Sequence, residues 1–346
     1  MFSSYNYHDK ADRHSFLISN VDLAVVNSIR RVLLSEIPVV GFYGEDEPTI
    51  KIPFNSGPLH NEFMIHRIGL IPIHVNETVT ESYEDDDYSF ELNVKNKTNE
   101  ITNITTEHFT GTYKGRDLTK KELEALFPPN KTTKSHILIT RLRPNEHIHV
   151  KATAIKRTGK LNAAFSAVSL ANFFFVESDK DTKDNILDKQ RNYIKNEYGE
   201  PISINFQIES VNGLSYKYLF RKAIDIIIEK LENLMMNLNE DKIFIEAVPS
   251  CDNSFNFQID NEDDTLGNVI QSLLHNKYVR DENKYKSYDC SYVGYICPHP
   301  LIHRLIVRFS LSTNDIQVYK QFFIDNCKEI IKIMEDLRME WNKFST

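Results

Sequence analysis

The feature that most constrains this chain is an internal repeat. FLISN at residues 16–20 returns as FQIDN at 257–261, and the same offset of 241 residues pairs Asn27 with Asn268, Ile29 with Ile270 and Leu33 with Leu274. Both copies carry their elements in one order: a short strand, a capped amphipathic helix, then a second strand and a long helix. In the first copy Asp22 reads as an N-cap. Leu23, Val26, Ile29, Val32 and Leu33 then recur at helical spacing until Pro38 ends the pattern. NEDDTLGNVIQSLLHN (261–276) repeats that design. ISINFQIES with a helix over 216–238 closes the first copy, and LIVRFSLST with the helix beginning at YKQFF closes the second.

Each half therefore has one modest sheet and two helices with apolar stripes, which must be buried against something. Two similar halves can bury them against each other about a pseudo-twofold axis. This places Leu23, Val26, Ile29 and Leu33 opposite Leu266, Val269, Ile270 and Leu273. Each fully buried Leu or Ile contributes roughly 1.5–3 kcal/mol. Joining the halves in one chain makes docking intramolecular, at an effective concentration on the order of mM. The expected fold is α+β. Residues 1–75 with 200–248 form a discontinuous first lobe, 249–346 a second lobe, and 76–199 a β-rich insertion. Within the insertion FELNV, HILITRL and HIHVKATAI read as strands and TKKELEAL as a helix; LIPIHV, just before it, also reads as a strand.

Composition removes several function classes. With a net charge of -8 and no basic stripe, direct sequence-specific DNA contact is not expected. No apolar run approaches the roughly 20 residues of a membrane span. The opening MFSSYNYHDKADRHSF lacks an apolar signal core, so an intracellular, unsecreted protein is expected. The four Asn-x-Thr sequons then carry no glycan meaning. Cys251, Cys290, Cys297 and Cys327 include no C-x-x-C pair and read as small buried residues in a reducing compartment. EDDD at 84–87 reads as a solvated loop rather than a magnesium site.

LHNEFMIHRIGLIPIH (59–74) is the one stretch that could carry chemistry. A metal hydrolase would use His60, Glu62, His66 or His74. On a helix, however, residues two apart point roughly 200° apart, which separates His60 from Glu62. His60 and His66 are six apart, not the four of a helical metal pair. Structural polar residues are the better reading. Arg30 and Arg31 read either as a solvated edge beside the apolar stripe or as a carboxylate-binding pair at a subunit interface.

NSIRRVLLSEIPVVGF (27–42) with LHNEFMIHRIGLIPI (59–73) resembles the assembly subunits of cellular RNA polymerases: the bacterial alpha subunit, the archaeal D subunit and the third-largest subunit of eukaryotic polymerase II. NEDDTLGNVIQSLL (261–274) with YVGYICPHPL (292–301) resembles their small partner, the archaeal L subunit and its eukaryotic counterparts. Asn27, Gly267, Asn268, His299 and Pro300 are motif positions. Two partners fused in one chain resemble the arrangement in some large DNA viruses. The resemblance implies a non-catalytic assembly platform that binds the second-largest and then the largest polymerase subunit, with a small zinc-binding subunit as a further partner. It implies that Arg30, Arg31, Glu62 and Arg67 meet the second-largest subunit. It also implies that this chain binds no cofactor, catalytic magnesium belonging to the largest subunit and zinc to others. The location would be the nucleus for a cellular protein, or a cytoplasmic viral factory or virion for a viral one. The sequence departs from the family twice. Residues 76–199 contain no cysteine, where many relatives hold a metal-binding cluster, and GKLNAAFSAV (159–168) has Asn162 where the family has a histidine.

Overall fold

The computed structural model describes residues 1–345 except 10–11, 46–48, 179–191 and 281–287. The first lobe is an antiparallel sheet of order β1-β2-β13-β12, built from β1 (Phe2–His8), β2 (Arg13–Ser19), β12 (Val168–Phe175) and β13 (Ser203–Ser210). Against it pack α1 (Leu23–Ser35) and the later α5 (Tyr216–Asn239). The second lobe repeats this plan. Its sheet has the order β14-β15-β17-β16, from β14 (Phe244–Ala247), β15 (Ser254–Asp260), β16 (Cys290–Ile296) and β17 (Arg304–Leu311). Its helices are α6 (Asp264–Leu274) and α7 (Ile316–Ser345).

The repeat extends to the capping atoms. Asp22 Oδ1 accepts from Ala24 N at 2.7 Å, and Asp263 Oδ1 accepts from Thr265 N at 2.8 Å. Each satisfies an amide that the first helical turn leaves without a partner. The two lobes share one continuous apolar core running from Phe16 and Val26 through Ile224 and Ile270 to Trp341.

The insertion has its own core. A five-stranded sheet of order β4-β10-β5-β7-β8 comprises β4 (Ile50–Asn55), β5 (Tyr88–Lys95), β7 (Thr110–Tyr113), β8 (Arg116–Asp117) and β10 (His147–Thr153). A second pair joins β6 (Thr102–Thr105) to β9 (Leu138–Leu142). The helices are α2 (Asn61–Gly69), α3 (Glu77–Ser82) and α4 (Lys120–Leu126). Thr119 and Glu122 form the capping box that starts α4. Phe42, Phe90, Phe109 and Phe127 meet at the centre, with Phe90 to Phe127 at 5.1 Å and Phe109 to Phe127 at 5.2 Å.

Three expectations change. The insertion core is not confined to 76–199: Val40, Ile50, Met64, Ile68 and Ile73 belong to it, while Ile155, Phe165 and Val168 belong to the lobe core. The boundary is the pair β3 (Pro38–Gly41) with β11 (Ile155–Thr158). Consecutive strand residues point to opposite faces, so Val39 enters the lobe core and Val40 the insertion core. Second, LIPIHV is not a strand. Ile71, Ile73 and Val75 alternate inward as a strand would, but Pro72 lacks an N–H, and among the described residues the one long-range backbone bond of this segment runs from His74 N to the carbonyl of Leu126, at 2.9 Å. Third, the acidic run is not merely solvated. Asp85 accepts from Arg157 at 2.8 Å and from the Lys156 amide, and Asp87 pairs with Lys114.

The insertion meets the first lobe through His74, and His14 lies nearby within that lobe. His74 packs against Gly213, whose φ of 73° and close approach (an added Cβ would lie 2.7 Å from His74 Nδ1) suit only glycine. His14 stacks on Tyr216 at 4.2 Å. Burial lowers the pKa of both imidazoles, with Asp12 and Lys131 exerting opposed smaller effects. A depressed folded pKa contributes stability that is present above the unfolded value and lost as pH falls through the folded one. The thermal midpoint should therefore fall as pH is lowered from about 6.5. Differential scanning fluorimetry should show a shallower fall for His74→Phe; an equal slope in parent and variant would remove His74 from the account.

Candidate functional site: the lobe joint and its outer faces

The joint is built by reciprocal contacts between helix middles and helix N-termini. From α1, Arg31 Nε donates to Thr265 Oγ1 at 2.8 Å, and its Nη2 lies 3.7 Å from Asp263 Oδ1 at the start of α6. From α6, Ser272 Oγ donates to Asp22 at 3.1 Å and Asn276 Nδ2 does so at 2.9 Å, at the start of α1. Arg31 and Ser272 are related by the same 241-residue offset, as are Asp22 and Asp263. A pseudo-twofold axis therefore relates the two ends of the joint. At one end the capping carboxylate faces a cation, and at the other only neutral donors. Burial pushes the Asp263 carboxyl up, but the bonds from Thr265, with Lys160 and Arg31 nearby, outweigh it and hold its pKa below the usual value.

The apolar residues between these ends lie where the stripe predicts. Val26, Ile29, Leu33, Leu266, Val269 and Ile270 are buried, while Leu23 and Leu273 pack half-buried at the margin. Gly267 lets α6 approach the sheet of its own lobe closely: a Cβ there would lie 2.6 Å from both Leu305 and Tyr295. Gly267→Ala should cost about 1–3 kcal/mol through overpacking, measured as a lower urea midpoint at unchanged m-value. A shift under about 0.5 kcal/mol would mean that Tyr295 moves aside freely.

Sequence reasoning missed an ion cluster beside the Arg31 end of the joint. Lys230 of α5 reaches Glu36, which caps the end of α1, and Glu262, which precedes α6, both at 2.9 Å. All three side chains are at most 16% exposed. Burial opposes the charge on Lys230, but the two carboxylates outweigh it and raise its pKa; burial raises that of Glu262 in spite of Lys230. A signal existed: Lys230 lies between Ile227 and Leu234 on the buried stripe of α5. A lysine there needs a partner. The sequence also left Trp341 unassigned. It is fully buried at the end of α7, 4.3 Å from Phe220 and 4.8 Å from Phe16, and its Nε1 donates to Lys217 O at 2.9 Å. The last turns of the second lobe thus complete the core of the first.

The four expected partner-binding residues separate. Arg31 is used within the chain, as described, because the α6 N-cap lies within its reach. Arg67 is also used internally, donating to the carbonyls of Ile139 and Leu138 at 2.9 and 2.8 Å and tying α2 to β9. Glu62 is exposed on α2. Arg30 is half-buried beside Asn27, whose Oδ1 accepts from its Nε at 2.9 Å, and it has no carboxylate partner among the described residues. Burial and the neighbouring Arg31 lower its pKa. Asn27 and Asn268 line one cleft across the joint. His299 and Pro300 form the exposed β16–β17 turn, where His299 Nδ1 accepts from Leu301 N at 3.1 Å. His60, His66 and His74 do not converge. His60 and His66 are exposed and His74 is turned to Gly213; among the described residues no group of three or more His, Cys, Asp or Glu is placed to hold a metal.

Residues 15–231 match the family model of the RNA polymerase Rpb3/Rpb11 dimerisation domain, and residues 254–340 match a second model of the same description. The chain belongs to the Rpb3/Rpb11 dimerisation-domain family. It is 28% identical over 203 residues to the DNA-directed RNA polymerase II subunit rpb3 of Dictyostelium discoideum, covering 53% of this chain and 61% of that protein. It is 29% identical over 182 residues to human DNA-directed RNA polymerases I and III subunit RPAC1, covering 46% and 49%. With the RPB3 subunit of Schizosaccharomyces pombe it shares 28% identity over 262 residues, 66% of this chain and 84% of that protein. The chain thus spans about 60% or less of several curated relatives, as in the 61% and 49% above. Two dimerisation-domain matches in a single chain agree with the two lobes of the fold. Among the described residues no helix is long and apolar enough to cross a membrane.

Proposed function

We propose that this chain is the assembly platform of a multisubunit DNA-directed RNA polymerase, with both dimerisation partners in one polypeptide. The observation that carries this reading is the joint: two family domains share one core and exchange equivalent contacts across a pseudo-twofold axis. A preformed joint gives large subunits a rigid surface and lowers the ordering cost of their association. The chain performs no chemistry. Magnesium belongs to the largest subunit and zinc to other subunits, among them a small zinc-binding one. The insertion, without cysteine between 76 and 199, lacks thiolates for a metal cluster and is held by its phenylalanine core. The chain works inside the cell, in the nucleus or, for a viral protein, in a cytoplasmic factory or the virion.

Arg30, Arg31, Glu62 and Arg67 are the residues proposed to meet the second-largest subunit; of these, Glu62 is exposed, and Arg30 has no carboxylate partner among the described residues. Phe63 on α2 and Leu70, which caps its end, are 62% and 71% exposed and would add apolar contacts beside Glu62. Arg30 offers a half-buried cation whose natural complement is a carboxylate of the partner. Affinity purification of the tagged chain from its source, with mass spectrometry, should recover two very large subunits and nucleotide-polymerising activity. Phe63→Asp with Arg30→Ala should release the second-largest subunit while the chain stays folded. Recovery without any large subunit would overturn the platform reading and favour an interaction scaffold outside transcription.

A further inference from the structure

The open face of the insertion sheet reverses the charge of the protein. Strand alternation puts Ser89, Glu91, Asn93 and Lys95 of β5 on this face, with His147, His149, Lys151 and Thr153 of β10 beside them; the intervening residues Phe90, Leu92, Ile148, Val150 and Ala152 are buried beneath. The register fixes the rows. Lys95 stands opposite His147, and Glu91 opposite Lys151. On its other side Lys151 stands directly opposite Lys51 of β4. On these three strands Lys51, Lys95 and Lys151 thus face a single carboxylate, Glu91, in a chain of net charge -8.

The Lys51–Lys151 pair is electrostatically unfavourable as it stands. Like charges directly opposite on neighbouring strands destabilise a sheet. Glu91 stands opposite Lys151 but forms no ion pair with either lysine, its Oε1 being turned to His149 Nε2 at 2.6 Å. Among the described residues neither lysine makes an ion pair. Both line a cleft of about 880 Å³ that crosses the sheet. The row beside them is made of hydroxyls: Thr49, Thr153, Ser89 and Thr112 lie side by side on four successive segments. The remaining acid of the cleft, Asp117, is at its far end on β8. Leu118 and Leu123 form the wall there.

We propose that this cleft is a docking site for a short acidic segment of a partner protein, lying across the strands. Its carboxylates would meet Lys51 and Lys151, and its backbone would meet the hydroxyl row. Four strands at roughly 4.8 Å spacing span roughly 15 Å, the length of about five extended residues. The ligand is therefore short. A nucleic acid is disfavoured, because it carries charge along its whole length and would run from this face onto the acidic remainder of the molecule.

The test uses the full chain with fluorescein-labelled pentaglutamate at low ionic strength, followed by anisotropy, with labelled pentathymidylate as the comparison. The peptide should bind and be released by salt. Lys51→Glu with Lys151→Glu should weaken it at least tenfold. Lys332→Glu, an exposed charge reversal in the second lobe, should leave it unchanged. Lys51→Thr with Lys151→Thr keeps strand-compatible residues should the reversal perturb folding, and should also lose binding. Lys51→Thr alone should hold or raise the thermal midpoint, because it removes the like-charge contact. Equal binding by parent and double variants would overturn the proposal. So would absence of peptide binding, whether or not the oligonucleotide binds, and binding of the oligonucleotide alone would reassign the face to nucleic acid.

Discussion

Lys230→Ala should be among the most damaging single substitutions in the molecule, costing about 3–5 kcal/mol. It leaves Glu36 and Glu262 buried without their shared cation, and breaking a buried pair by removing one partner costs about that much. The effect would fall on the joint, because Glu36 belongs to the first lobe, Glu262 to the second, and Lys230 holds both at 2.9 Å. Two controls separate charge from packing. Lys230→Met keeps most of the side-chain volume and should be nearly as damaging. Lys230→Met combined with Glu36→Gln and Glu262→Gln should recover most of the loss, since a neutral cluster leaves no buried charge. The deficit of Lys230→Ala should also shrink as pH falls. The Glu262 pKa is already raised, and without the ammonium it would rise further, so protonation on acidification relieves the variant more than the parent. Urea denaturation at two pH values measures all of this. A loss under about 1 kcal/mol for Lys230→Ala at neutral pH would show that water reaches the cluster and that the joint does not depend on it.

The lobe plan was legible because periodic patterns and caps are local. The spacing of Val26, Ile29 and Leu33, and the matching spacing of Leu266, Val269 and Ile270, specify two helices and the faces they bury. Asp22 and Asp263 were readable as a cap and its repeat. Partners separated in sequence were not legible. Arg31 looks identical to Arg30 in the sequence, yet Arg31 reaches across to Thr265 of the other lobe while Arg30 bonds to Asn27 on its own helix. A rotation of about 100° between neighbouring helical residues decides this, and only the packed partner shows which way each side chain turns. The insertion boundary was misplaced for a similar reason: β3 serves two cores on its two faces, so the transition has no composition change to mark it. Arg67 sits within a motif that suggests partner binding, but its bonds go to backbone carbonyls of β9, more than seventy residues away. Backbone acceptors leave no trace in sequence.

Trp341→Ala should cost about 3–5 kcal/mol, the range for removing a buried aromatic, and should act between the lobes rather than within one. The indole lies against Phe220, Phe16 and Phe2, at 4.3, 4.8 and 5.1 Å, all from the first lobe, although α7 belongs to the second. Its N–H also gives the Lys217 carbonyl at the start of α5 a hydrogen bond. Trp341→Phe keeps much of the apolar contact but loses that bond and part of the ring volume, so it should cost about 1–3 kcal/mol, less than the alanine variant. Loss of the anchor should free the end of α7, so limited proteolysis should cut Trp341→Ala within the final turns while Trp341→Phe resists. Trp341 is the single tryptophan of the chain, so parental fluorescence reports the joint directly. Its emission should shift to the red in one step with global unfolding if both lobes and α7 form one cooperative unit. An emission change well before the loss of far-ultraviolet circular dichroism would show instead that α7 undocks first, with each lobe retaining its own sheet.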